Sequence, residues 1–288
     1  MKKVLLPTDF SANAWNAIAY ALNYFQNEKC LFYILHTYTP TFYRVDYMMG
    51  GPVNSAIPDE GVETAQKGLE KTLSDIRKNY PNKNHQFKTI SSFNILTDEI
   101  EEVTAREGLD IIAMGTQGAT GAKEIFLGTN TVHVIKKAKI PVLAIPNGYA
   151  FKEIDTIVFP TDYTRPYDPE ALGFLGEICK WHKTKLIVLN VKEDFVLNEQ
   201  QNAHKKALGA FLQPMDHSFE QVKGELMPNA IHEYVEKHRI GLLAIMNRKH
   251  TFLHRLINKS TIDSIGYHSR IPFVAIPETW EESLKKTN

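Results

Sequence analysis

Apolar residues along this chain follow two alternating patterns. Runs without polar interruption, Val4-Leu5-Leu6-Pro7 and residues 31–36, read as strands buried on both faces of a parallel sheet. Between them Ala14, Ile18, Ala21, Leu22 and Phe25 recur at the spacing of one helical face, with Ser11 as a ready N-cap. Val62, Ala65, Leu69, Leu73 and Ile76 mark the next helix, and residues 87–90 a weak strand. Thr97 is expected to cap a helix carrying Ile100 and Val103, with Asp98 and Glu99 in its first turn and Gly108 ending it. A strand at 111–114, a helix through Val132 and Ile135, and a strand at 141–145 follow. Residues 37–60 are rich in Tyr, Gly and Pro without a period, and read as a long loop serving as a lid or contact surface.

The pattern then begins again. Residues 156–164 (TIVFPTDYT) answer residues 4–11 (VLLPTDFS), and 185–190 answer 30–36. Residues 242–246 answer 111–114, and IPFVAIP at 271–277 answers IPVLAIP at 140–146. The fold class predicted is α/β: two tandem doubly wound domains, each with a mostly parallel five-stranded sheet. The domains are 1–148 and 152–280, with a polar tail at 281–288. In such folds ligands sit beyond the carboxyl ends of the strands where strand order reverses, and residues 7–9 and 115–118 both follow strands at that end.

The glycine content gives this end of the sheet its chemistry. Gly115, Gly118, Gly121 and Gly128 punctuate the stretch after the 111–114 strand, leaving bare peptide groups for a ligand to approach. Thr129 and Asn130 suit a helix N-cap, where free N–H groups and the helix dipole attract an anion. A phosphate-binding strand–loop–helix is expected, with Asp9 opposite it as a carboxylate for hydroxyls. Asp9 by itself has the alternative reading of a turn or capping residue.

The full spacing, Gly115-x2-Gly118-x9-Gly128-Thr129, taken with Pro7-Thr8-Asp9 and the repeat, resembles the universal stress protein superfamily in its tandem two-domain form. The resemblance covers nearly the whole chain. It implies an adenine nucleotide alpha hydrolase-like fold and a G-x2-G-x9-G-(S/T) loop that binds ATP in family members. Carried over residue by residue, Pro7, Thr8 and Asp9 hold adenine and ribose, Thr37 meets adenine through backbone, and Met114 lies beside the ribose. Gly115 and Gly118 bring N–H groups to the phosphates, Gly128 and Thr129 close on them, and Asn130 adds a hydrogen bond. ATP, or ADP or AMP, is the expected ligand, and Mg²⁺ could accompany it. The resemblance also makes the 141–145 and 273–276 strands candidates for a pseudo-dimer contact inside one chain, with a homodimer of full chains as an option.

The second copy departs from this pattern. With a one-residue deletion in the alignment, Asn247 replaces Gly115, His250 replaces Gly118 and Lys259 replaces Gly128, leaving only Ser260 as the hydroxyl. No nucleotide site is expected there. Arg248, Lys249, His250, His254, Arg255 and Lys259 make the replacement loop basic, either a solvated segment or a site for an anion or acidic partner. His250 and His254 have the spacing of a helical metal pair but lack the accompanying Glu, so no metal is assigned. His36, at a strand end, reads as packed or hydrogen-bonded.

Composition narrows the function class. Thirty-three basic residues balance thirty-three acidic ones, which argues against nucleic acid or an anionic membrane as partner. No apolar run approaches the ~20 residues of a membrane span, and the N-terminal run is too short for a signal peptide. Two cysteines without a CxxC pair fit a reducing cytoplasm, both as small core residues. No Walker-type loop or nucleophile elbow is present, so no catalytic residue is assigned. The expected function is adenine-nucleotide binding in stress signalling through an unknown protein partner, without enzymatic turnover. A slow ATPase, a nucleotide-free scaffold and a binder of another ligand in the second domain are the alternatives.

Overall fold

A computed structural model of the 288-residue chain describes residues 1–38, 60–116, 128–192, 196–223, 227–247 and 271–278. The loop read at 37–60 and the basic segment after Asn247 therefore lie almost wholly outside the described residues. Strands β1 (Lys2–Pro7), β2 (Cys30–Thr37), β3 (His85–Ser92), β4 (Ile111–Gly115) and β5 (Val142–Ile145) alternate with helices α1 (Ala12–Tyr24), α2 (Glu60–Asn79), α3 (Leu96–Glu107) and α4 (Thr129–Lys137). Strands β6 (Thr156–Thr161), β7 (Lys185–Lys192), β8 (His217–Lys223), β9 (Leu242–Asn247) and β10 (Phe273–Pro277) follow, with helices α5 (Pro169–His182), α6 (Glu199–Leu212) and α7 (Met227–Lys237).

All ten strands form one sheet in the order β3-β2-β1-β4-β5-β10-β9-β6-β7-β8. Strand order within residues 2–145 thus repeats within residues 156–277. Pairing is parallel inside each half, as the continuous apolar runs require, with Val4 opposite Phe32 and Ile111. The seam is antiparallel: Phe273 pairs with Ala144, Val274 with Leu143 and Ala275 with Val142. The contact expected between the last strands of the two copies therefore joins them into a single sheet.

Alternate strand residues feed two cores, one per face. Val4, Leu6, Phe32 and Ile34 pack under α1 and α2, in a cluster that continues through Phe159, Leu175 and Leu212 under α5 and α6. Leu5, Tyr33 and Ile112 pack with Ile100, Val103, Val134 and Ile135 of α3 and α4, continuing to Ile231 and Tyr234 of α7. Cys30 and Cys179 are buried and free, and burial pushes their thiols up to about 12 and about 11, so neither is a reactive thiolate at neutral pH.

Ser11 caps α1 by accepting from the Ala14 N–H, and Gly108 ends α3 in the left-handed conformation at φ 64°. The expected cap at Thr97 is corrected: α3 is capped at Ile95, without a side-chain hydrogen bond. Long-range contacts set this start. Glu99, 4 % exposed, accepts from Ser92 Oγ at 2.7 Å and Asn94 Nδ2 at 3.1 Å, while Asn94 Oδ1 accepts from the Ile95 N–H at 2.8 Å. Thr97 lies inside the helix and bonds Asp98 instead.

Candidate functional site

In the first half, strand order reverses between β1 and β4, and in such sheets a ligand crevice lies beyond the carboxyl ends of these two strands. On the β1 side, Pro7 has no N–H, and the ladder resumes with the Thr8 N–H donating to Leu35 O at 2.8 Å. The chain then turns through two side-chain-capped steps. The Phe10 N–H donates to Thr8 Oγ1 and the Ser11 N–H to Asp9 Oδ1, each at 3.0 Å. Phe10 takes φ 63°, which throws its ring under the turn and onto His36, at 4.3 Å between centroids. His36 Nδ1 lies 2.7 Å from the Thr8 carbonyl; a carbonyl can only accept, so this nitrogen carries the proton. His36 is thus a packed, hydrogen-bonded residue that fixes the turn. Asp9 stays exposed, with Oδ1 accepting from the Ser11 N–H.

On the β4 side, Gly115 lies in close approach to α1. A Cβ there would lie 2.4 Å from Asn13 Nδ2 and 2.9 Å from Asn13 Cγ, the buried side chain at the start of α1. The chain leaves the sheet at Thr116 and returns at Gly128, whose N–H donates to Thr116 O at 2.5 Å and pinches the loop at its base. Thr131 Oγ1 donates to Gly115 O at 2.8 Å, tying the first turn of α4 to the end of β4.

These two ties also move the cap. The N-cap of α4 is Gly128, not Thr129 or Asn130, which are the first two helical residues and are exposed. A glycine cap has no side chain to accept from the first-turn amides, and that turn holds no acidic residue, while Lys136 and Lys137 occupy the last. First-turn N–H groups without a side-chain cap, together with the dipole's positive end, favour an anion at this end.

The remaining candidates are placed as follows. Thr37 is half-buried at the end of β2, in register with Ser92. Met114 is 6 % exposed and packs in the apolar cluster beneath α3 and α4, so its side chain belongs to the core rather than the crevice. Gly118 lies outside the described residues. Asn13, Phe10 and Thr131 were missed by the sequence reading, because each acts on a partner distant in the chain.

The second half repeats the turn with a different surround. The Tyr163 N–H donates to Thr161 Oγ1 at 3.1 Å, the Thr164 N–H to Asp162 Oδ1 at 2.9 Å, and Tyr163 takes φ 55°. Here, though, Gln201 Nε2 donates to Asp162 O at 2.8 Å, His204 Nδ1 to Tyr163 O at 2.8 Å, and the Tyr167 hydroxyl bonds Thr161 Oγ1. The register also corrects the expected alignment. Ile112 pairs with Leu5 and Leu243 with Val158, while Gly115 faces Ile145 and Met246 faces Ile276. Met246 therefore takes the place of Gly115, and Asn247 that of Thr116. The one-residue deletion expected between His250 and Lys259 is not needed, because the register that sets Met246 on Gly115 also aligns Lys259 with Gly128 and Phe273 with Val142 in sequence. His250 and Lys259 lie outside the described residues. Among the described residues, no three His, Cys, Asp or Glu side chains gather as a metal site, and no helix is long and apolar enough to cross a membrane.

The universal stress protein family model matches residues 1–146, the half that carries the glycine loop. Universal stress protein MJ0577 of Methanocaldococcus jannaschii is 31 % identical over 154 residues, covering 50 % of this chain and 94 % of the relative. Universal stress protein MJ0531 of the same organism is 28 % identical over 147 residues, covering 50 % and 81 %. The crystal structure of a universal stress protein from Archaeoglobus fulgidus aligns over 96 % of each chain with a TM-score of 0.64 at 19 % identity, and so shares the fold across both halves. With the family model spanning its first 146 residues, this chain belongs to the universal stress protein family.

Proposed function

We propose that the first half binds one adenine nucleotide, ATP in its charged form, and that the second half is a degenerate copy without a nucleotide site. The observation that carries this reading is the paired build of the first crevice. Gly115, where a Cβ would press on the Asn13 side chain, and the glycine-capped N-terminus of α4 stand across a strand-order reversal from exposed Asp9. Bare peptide N–H groups suit phosphate oxygens, and a carboxylate suits ribose hydroxyls. Family likeness over residues 1–146 supports the same assignment.

In this reading, the first-turn amides of α4, with Thr129 and Asn130, hold the phosphates alongside the backbone at Gly115 and Gly118. Asp9 orients the sugar, and the backbone of Thr8 and Thr37 borders the base. Mg²⁺ would arrive with the phosphates. In this reading the protein acts as a ligand-dependent signalling component rather than an enzyme. Nucleotide changes the surface shown to a protein partner only through its differential affinity for two conformations. Residues 1–148 and 152–280 act as tandem units, a homodimer is the assembly to test, and the protein works in the cytoplasm.

Isothermal titration of full-length protein with ATP tests this directly. Saturable binding that is lost in Gly115→Met, with the fold intact by circular dichroism, is the expected result. Absence of binding to the wild type would sink the proposal in favour of a nucleotide-free scaffold. Multiple-turnover ADP release that disappears in Asp9→Ala would make the protein an ATPase instead.

A further inference from the structure

Helix α4 is held at both ends, and its far end is held by the other half of the molecule. Asn247, the last residue of β9, donates from Nδ2 to the backbone carbonyl of Ile135 at 2.7 Å, across 112 positions of sequence. The last four carbonyls of a helix lack intrahelical donors. In α4 the Ala138 N–H takes Val134 O at 2.8 Å, and the next carbonyl, Ile135 O, is the one Asn247 fills. Val134 and Ile135 also belong to the same apolar cluster as Leu243, Ile245, Phe273 and Ala275 of the second half. At its near end, α4 is pinned by Thr131 to Gly115 and by Gly128 to Thr116.

We propose that Asn247 is a positioning residue for the first half's nucleotide site. It caps the C-terminus of α4 from the second half and so sets where the helix N-terminus presents its amides. This rests on the nucleotide reading of that site. The physical basis is the shortness of the helix: nine residues span roughly 13 Å at ~1.5 Å per residue, a rigid rod whose displacement at one end moves the other. The residue standing in Thr116's place therefore serves the opposite half. Loss of glycine at the second crevice and gain of this strut occur at neighbouring positions, Met246 and Asn247. The degenerate copy acquires a role in holding the intact one.

The test compares full-length wild type, Asn247→Ala and Asn247→Asp, with Glu177→Gln as a control. Glu177 pairs with Lys2 at 3.0 Å across the same two halves without touching α4. Hydrogen exchange of residues 129–138 is followed without nucleotide, and ATP affinity by titration. Asn247→Ala is expected to speed exchange in the last turn of α4 and weaken ATP about three- to tenfold, the range of one neutral hydrogen bond. Asn247→Asp, which sets a carboxylate against a carbonyl oxygen, is expected to do more, and Glu177→Gln to do neither. Unchanged exchange in Asn247→Ala overturns the proposal. So does faster exchange with unchanged ATP affinity, or equal weakening by Glu177→Gln. Should the wild type bind no ATP, the site reading fails separately, and the positioning role for nucleotide fails with it, while exchange still reports whether Asn247 holds α4.

Discussion

The turns that follow β1 and β6 have the same internal bonds: Thr8 and Thr161 accept from the residue two on, as do Asp9 and Asp162, and Phe10 and Tyr163 both turn left-handed. What differs is everything around them. The first turn faces Gly115, whose missing Cβ leaves room for Asn13, and its helix α2 offers Gly68, where a Cβ would strike the Phe10 ring at 2.4 Å. The second faces Met246, 4 % exposed, and its helix α6 sends Gln201 and His204 onto the turn's carbonyls while Tyr167 takes its hydroxyl. The Pro-Thr-Asp segment is thus a folding device in both halves, since its side chains satisfy its own amides. Whether it also serves a ligand depends on what neighbouring helices leave open.

The largest effect is expected from copying the second crevice into the first. Gly115→Met should weaken ATP beyond about 100-fold, because two or more phosphate contacts and the Asn13 packing are lost together. Titration with a parallel thermal melt checks this. The reverse change is expected to fail as a gain of function. Met246→Gly removes a buried side chain at a cost of about 2–5 kcal/mol, read by urea unfolding, and still yields no second ATP site, since Gln201, His204 and Tyr167 continue to occupy the turn.

Comparison of the halves presumes that they stay joined, and mild acid should loosen them. His182 at the end of α5 packs at 4.3 Å against the Tyr24 ring of α1, with Phe151 at 6.5 Å, and burial pulls its imidazole down to about 4. The folded state disfavours the proton, so stability is complete above the ordinary pKa of 6.5 and falls as pH drops toward 4, by about 3 kcal/mol in all. The unfolding free energy of His182→Phe should lose most of this slope between those pH values. The smallest effect separates the two carboxylates: Asp9→Ala should weaken ATP about tenfold, within the range for charged hydrogen bonds, and Asp162→Ala should leave titration unchanged.

Much of this architecture was legible in sequence because it rests on local periods. Unbroken apolar runs announced parallel strands, and the matched segments ending in Pro146 and Pro277 announced the strands that meet at the seam. Contacts that close over long distances were not legible. The start of α3 follows from Glu99 being held by Ser92 and Asn94, which outweighs a cap at Thr97. The start of α4 follows from Gly128 returning to Thr116. The place of Gly115 in the second half needed the register with β6 and β10, because a one-residue slip leaves the apolar pattern of residues 242–246 unchanged. Asn13, Gln201 and His204 sit on helices whose apolar faces were readable, but nothing local shows which polar residue meets a turn.

The central claim is functional asymmetry, one open crevice and one filled, and the number of nucleotides per chain tests it most directly. Native mass spectrometry of the full-length protein with saturating ATP should show a single ATP per 288-residue chain, absent in Gly115→Met and retained in Asp162→Ala. Two ATP molecules per chain, none, or one that survives Gly115→Met would contradict it.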